Sequence, residues 1–197
     1  MLLAVLLTST LLCCSCAGAC FLAGHAGEWR HAYDLLERMK SARVERTLIT
    51  YCSIIQACGE GGEFGRAYAV LTSMQADGIR PDAICYNAAI SAAASDHDSD
   101  QALSLLSQMR MDGIQPTARS YTSLIRACGK ARQTGKAIEL LREMSRSGIP
   151  PNAFAYSAAI SACEKAADWR LAIDLLEEME QKGVKVPISA LMQRAAL

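Results

Sequence analysis

Apolar residues recur along this chain with a long period. Met39, Met74, Met109, Met144 and Met179 are 35 residues apart, as are Ala32, Ala67, Ala102, Ala137 and Ala172. Leu36, Leu71, Leu106, Leu141 and Leu176 form a third column in the same phase. Tyr51, Tyr86, Tyr121 and Tyr156 form a fourth, and Ile55, Ile90, Ile125 and Ile160 a fifth. Within one period the Ala, Leu and Met columns fall at i, i+4 and i+7, which is one face of a helix. The spacing predicts helices over 63–77, 98–112, 133–147 and 168–182. The Tyr and Ile columns, four apart, predict a preceding helix over 49–59, 84–95, 119–130 and 154–166. No alternating strand pattern appears. Each period is therefore a helix–turn–helix unit, and the chain is a tandem array.

The ends of the units carry stop signals. Gly78, Gly113, Gly148 and Gly183 stand where a helix closes through a left-handed residue, and Ile79, Ile114, Ile149 and Val184 follow as the apolar contact of such a cap. The five prolines (Pro81, Pro116, Pro150, Pro151, Pro187) lie just beyond, where they interrupt no helix. Repeats are expected at 48–82, 83–117, 118–152 and 153–187. Residues 13–47 read as a degenerate unit: Trp29 aligns with Trp169, but Cys16 replaces the tyrosine and Arg43 the capping glycine. Residues 188–197 begin a further unit, with Leu191 in the tyrosine column, and are expected to form a short closing helix or truncated repeat. A pair of helices this short cannot bury its apolar face alone, so neighbours must stack. The expected fold is an all-α solenoid.

Composition narrows the function. The 197 residues balance 20 Lys+Arg against 20 Asp+Glu, half are apolar, and mean hydropathy is +0.13. That excludes a disordered chain and a polybasic nucleic-acid binder. The nine cysteines lack the tight pattern of a small disulfide scaffold. Balance is only an average: residues 118–152 hold seven basic and two acidic residues (net +5), whereas 83–117 are net −3 and the units at 48–82 and 153–187 are each −2.

The combined pattern Y-x-x-x-I, A-x-x-x-L-x-x-M, G-I-x-P, as in SYTSLIRACGKARQTGKAIELLREMSRSGIPPN, resembles the pentatricopeptide repeat family. The matching stretches cover residues 50–187, about 70% of the chain. The competing tetratricopeptide repeat has a 34-residue period and a W/LG/Y signature, which is absent. The resemblance implies a right-handed superhelix with first helices inside and second helices outside. It also implies binding of single-stranded RNA, about one base per repeat read by two or three side chains. By resemblance, one reader follows the tyrosine and the other follows the closing proline. The pairs are Cys52 with Asp82, Asn87 with Thr117, Thr122 with Asn152, and Ser157 with Pro187. Thr122/Asn152 resembles the family's adenine-reading combination, and Asn87 leans towards a pyrimidine. Cys52 is a poor donor and Pro187 has no polar side-chain group, so those two repeats are weak readers. Ile49, Ile84, Arg119 and Phe154, two residues before each tyrosine, are expected to pack on base faces. Arg126, Lys130 and Arg132 are candidates for phosphate contact. The bland alternative for all of these positions is a solvated helix face.

Other apparent signals lead nowhere. Cys58, Cys128 and Cys163 share one column and read as small packing residues. Cys13-x-x-Cys16 with Cys20, His25 and His31 lacks a second paired spacing for zinc. Asp96–Asp100 lacks the glycine and closing glutamate of a calcium loop and reads as an acidic turn capping a helix. No nucleophile motif, phosphate loop or acid–base pair stands out, so no enzyme activity, metal, cofactor or small-molecule substrate is expected. Residues 1–24 are uncharged and apolar; a targeting signal, a worn first helix and a membrane anchor stay open, and a membrane is a partner only in the last case. The expectation is an RNA-binding solenoid acting in mitochondrial or plastid RNA processing or stability. So short an array calls for another repeat protein or self-association. The alternatives are a protein-interaction scaffold using the same groove, or the binding part of a longer chain.

Overall fold

The structure, a computed structural model, describes residues 29–95 and 98–184. They contain nine α-helices of 13 residues each and no strand: α1 Trp29–Ser41, α2 Leu48–Glu60, α3 Phe64–Ala76, α4 Ala83–Ser95, α5 Ser99–Met111, α6 Ala118–Lys130, α7 Thr134–Arg146, α8 Ala153–Lys165 and α9 Trp169–Gln181. Every helix expected within 48–182 is present, with ends within one residue of the periodicity-based bounds. The segments 1–24 and 188–197, and Pro187, lie outside the described residues. No described helix is long and apolar enough to cross a membrane.

The contacts fall into two compact units, Met1–Asp96 and His97–Leu197. In the first, α2 packs on α4, and α3 on both α2 and α4, with α1 against α2. In the second, α6 packs on α8, and α7 on both α6 and α8, while α9 packs on α8 and α5 on α6. Within each unit, then, a first helix lies beside the next first helix and a second helix seals the seam behind them. This is the helical-repeat solenoid.

The five sequence columns form the core. Tyr51, Tyr86, Tyr121 and Tyr156 are wholly buried, as are Ile55, Ile90 and Ile125, and the Ala, Leu and Met columns are at most 3% exposed. A buried phenol needs a partner for its hydroxyl, and each tyrosine finds one at the end of a second helix. Tyr51 donates to Asp77, and Tyr156 to Glu178 at 3.1 Å. The Tyr86 hydroxyl accepts from Gln75 at 3.4 Å, and that of Tyr121 from Arg110 at 2.8 Å. Burial, with the bond to Asp77, pushes the Tyr51 hydroxyl up to about 12. Cys58, Cys128 and Cys163 are buried free thiols; burial pushes the first and last up to about 11 and Cys128 upward too, so they are packing groups.

The caps follow the sequence. Gly78 has φ +76, its N–H donates to Gln75 O at 3.0 Å, and Ile79 N–H donates to Met74 O at 3.1 Å. That double bond is why glycine recurs there. In the degenerate unit Arg43 takes the same left-handed turn, φ +51, without the relief glycine gives. The first helices close the same way, at Gly62, Arg132 (φ +56) and Ala167 (φ +59). The sequence hid that second column, because two of its residues are not glycine.

Candidate nucleic-acid interface

The residues carried over as readers lie at the starts of the first helices. Asp82, Thr117 and Asn152 are the N-caps of α4, α6 and α8. Asp82 Oδ1 accepts from the N–H groups of Ile84 (3.0 Å) and Cys85 (2.9 Å). Thr117 Oγ1 accepts from Ser120 N–H at 3.4 Å, and Asn152 Oδ1 from Ala155 N–H at 2.9 Å. Each satisfies an otherwise orphaned helix N–H, so the column has a structural duty that the sequence reading had not assigned. Thr47, one period before Asp82, caps α2 through Thr50 N–H. It belongs to the same column, and the 35-residue spacing alone would have found it.

Capping settles what each side chain has left to offer. One lone pair of its oxygen serves the cap, and exposed Asn152 also presents its amide N–H groups, which have no partner among the described residues. Half-buried Thr122 donates its hydroxyl to Ala118 O at 2.7 Å and keeps oxygen lone pairs as acceptors. Asn152 therefore offers N–H donors and Thr122 an acceptor. Asn87 is only 8% exposed. It lies in the first unit and Thr117 in the second. Ser157 is half-buried at the start of α8.

The repeat at 48–82 does bring its two candidate residues together: Cys52 Sγ is 3.6 Å from Asp82 Oδ1. Cys52, however, was expected to offer a thiol, and it forms a disulfide with Cys85 on the adjacent helix. The oxidised sulfur has no proton to donate, so that 3.6 Å contact is not a hydrogen bond in this state. The pairing escaped notice because the two cysteines, 33 residues apart, fall in different columns. One follows its tyrosine, and the other precedes the next tyrosine.

Two residues before each tyrosine, a large side chain is left in solvent. Ile49 and Ile84 are each 64% exposed and Phe154 77%, and Arg119 is exposed in the same register. Leaving large apolar groups in water at one position of successive repeats is unfavourable for folding and contributes nothing to the core. Of the basic candidates, Arg126 and Arg132 are exposed and Lys130 is half-buried. Lys130 and Arg132 have no ion pair among the described residues. Lys136 is bridged to Asp100 at 3.0 Å, and Arg110 to Glu143. Asp98, from the acidic turn that mimics a calcium loop, caps α5 through Gln101 N–H at 3.0 Å.

Comparison with known proteins follows this geometry. The family described as "Pentatricopeptide repeat domain" matches residues 19–61 and 69–131, "PPR repeat family" matches 120–165, and "PPR repeat" matches 49–79 and 154–184. A search of curated proteins finds no match. Among solved structures, the chain is similar to the PPR domain of Arabidopsis thaliana protein-only RNase P 1 in complex with tRNA. That match has TM-score 0.77 at 18% identity and covers 91% of this chain and 94% of that one. Maize PPR10 matches with TM-score 0.71 at 27% identity, over 89% of this chain and 25% of that one. PPR10 in complex with an 18-nt psaJ RNA element matches with TM-score 0.71 at 24% identity, over 87% and 28%. This chain thus spans about a quarter of the PPR10 chain that it matches. With a 35-residue period, paired helices and family matches over more than half its length, the chain belongs to the pentatricopeptide repeat family.

Proposed function

We propose that this protein binds single-stranded RNA along the starts of its first helices, one base per repeat, in organellar RNA processing or stabilisation. The observation that carries the reading is the side-by-side placement of two columns. Exposed Ile49, Ile84, Arg119 and Phe154 offer faces for stacking. The cap column next to them offers base-edge hydrogen bonds whose polarity is fixed by the caps. Stacking on an apolar or planar side chain is worth roughly 1–3 kcal/mol per base and tolerates any base, so the edge contacts supply selection.

At the 118–152 repeat, Asn152 donates to the imino nitrogen of the base and Thr122 accepts from its amine. That polarity suits adenine or cytosine and rejects guanine and uracil, whose imino nitrogens carry a proton. The family's adenine-reading combination places adenine first. Lys130 and Arg132 supply charge for phosphate in the same repeat. The chain acts by occupying a short RNA segment, not by cleaving it. A partner or a second copy supplies the remaining length. The test is selection of a randomised short RNA pool on the purified chain. Enrichment of an adenine-containing motif is expected; the reading fails if no RNA is retained and the chain instead captures peptide ligands through Ile49, Ile84 and Phe154.

A further inference from the structure

Cys52 and Cys85 are the only disulfide among the described residues, and their position is unusual. Cys52 is a reader residue on α2. Cys85 is on α4, directly after Ile84 and directly before buried Tyr86. The bridge therefore ties together two neighbouring first helices near the starts that carry exposed Ile49 and Ile84, with the two Cα atoms 4.9 Å apart. Asp82, the second reader of that repeat, completes a cluster in which both sulfurs and the carboxylate lie within 4.8 Å of one another.

We propose that the Cys52–Cys85 pair is a thiol–disulfide exchange site for small dithiols, and that its redox state switches base reading at the 48–82 repeat. The inference rests on the RNA reading above. Access sets the order of events, since Cys52 is half-buried while Cys85 is wholly buried. A thiolate of an external dithiol attacks Cys52 Sγ, and the Cys52–Cys85 bond breaks. Cys85 leaves as a thiolate and takes a proton. The second thiol of the dithiol, deprotonated, then attacks its own sulfur partner in the mixed disulfide. Cys52 leaves as a thiolate and takes the second proton. One protein disulfide and one dithiol become two protein thiols and one external disulfide, so electrons and protons balance. Reoxidation is the reverse exchange with a small disulfide.

The consequences follow from geometry. Oxidised, Cys52 is drawn onto α4 and has no proton, and the two first helices are clamped where a base must enter between their starts. Reduced, two thiols sit at non-bonded distance, about 3.5–4.0 Å instead of one covalent bond length, and the Cys52 S–H finds Asp82 Oδ1 as its acceptor, 3.6 Å away. The repeat then regains a free thiol whose sulfur, with its proton on Asp82, keeps lone pairs that can weakly accept from a base-edge N–H. The remaining described cysteines are separate: Cys58, Cys128 and Cys163 are buried and free.

The experiment uses the full chain. After treatment with oxidised glutathione, peptide mapping should find Cys52 linked to Cys85. After dithiothreitol under native conditions, Cys52 should be alkylated, whereas Cys85, no longer linked, should react only once the chain is unfolded, as Cys58, Cys128 and Cys163 do. Fluorescence anisotropy with short RNA from the selected pool should show the reduced chain binding at least threefold tighter than the oxidised one. A Cys85→Ser chain, which keeps Cys52 but cannot form the bridge, should lose the difference in affinity between the two buffers. No Cys52–Cys85 linkage, or equal affinity in both states with RNA binding intact, would overturn the inference and leave the RNA reading standing. If no form binds RNA, the RNA reading fails, and with it the switch, even where the mapping shows exchange.

Discussion

Gly129 tests the packing that spaces the reader residues. It is buried near the end of α6 and faces α8 of the next repeat. A Cβ added there would stand 2.9 Å from Ala162 Cβ and 3.3 Å from Ala162 Cα. Carbon atoms pack best at about 3.5–4.0 Å, so Gly129→Ala requires α8 to retreat by roughly 0.5–1 Å. Ala162 cannot rotate away, because its Cβ is fixed by the backbone. Two effects oppose each other. Replacing glycine within a helix gains up to about 1 kcal/mol in propensity, less here because the site is one residue from the helix end. Overpacking costs about 1–3 kcal/mol. The clash wins, and a net loss of about 1–2 kcal/mol is expected, or several degrees in Tm for a chain of this size. Urea denaturation followed by helical circular dichroism measures it. The cycle with Ala162→Gly isolates the contact, because the double variant should recover most of the loss caused by Gly129→Ala. A Gly129→Ala chain as stable as the parent, or more stable, would refute the close approach of α6 and α8.

Three further outcomes are expected. Ala167 holds a left-handed turn at φ +59 after α8, so Ala167→Gly should raise stability by about 0.5–1 kcal/mol; a loss would show that the turn is not left-handed. A hydrogen bond from Lys182 Nζ at 2.6 Å holds the Glu178 carboxyl below its ordinary value, against partial burial. A depressed carboxylate stabilises above its unfolded pKa and loses that contribution as pH falls through the folded value, so the stability gap between parent and Glu178→Gln should be present at pH 7 and closed near pH 3, read as Tm against pH. The isolated monomer should bind RNA no tighter than micromolar, because four repeats with two weak readers address few bases and association itself is costly; a nanomolar Kd in equilibrium titration would contradict this.

The architecture was readable before any coordinates because five residue types repeat in phase. Tyr, Ile, Ala, Leu and Met each do the same packing job once per repeat, so each recurs where the geometry recurs. The readers are harder. The positions of Thr122 and Asn152 recur every 35 residues, but the residue types there vary, so no column of one residue marks them. What they can offer emerged only from the structure, in which Asn152 caps its helix through Ala155 N–H and Thr122 places its proton on Ala118 O within the helix. The Cys52–Cys85 bridge and the left-handed Arg132 and Ala167 were invisible for a related reason: each arises where one repeat departs from the column pattern.

The central claim is that the cap column reads bases by hydrogen-bond polarity, and one substitution addresses it. Asn152→Asp keeps the cap oxygen and the side-chain shape but replaces the free N–H donors with an acceptor. Selection of a randomised RNA pool should then lose adenine at that position and gain guanine or uracil, whose imino nitrogens carry a proton, with the Thr122 hydroxyl turning from Ala118 O to donate to the neighbouring base carbonyl. A discrimination of about 1–3 kcal/mol corresponds to roughly 5- to 160-fold in relative enrichment. An unchanged base preference in the folded variant would contradict the account.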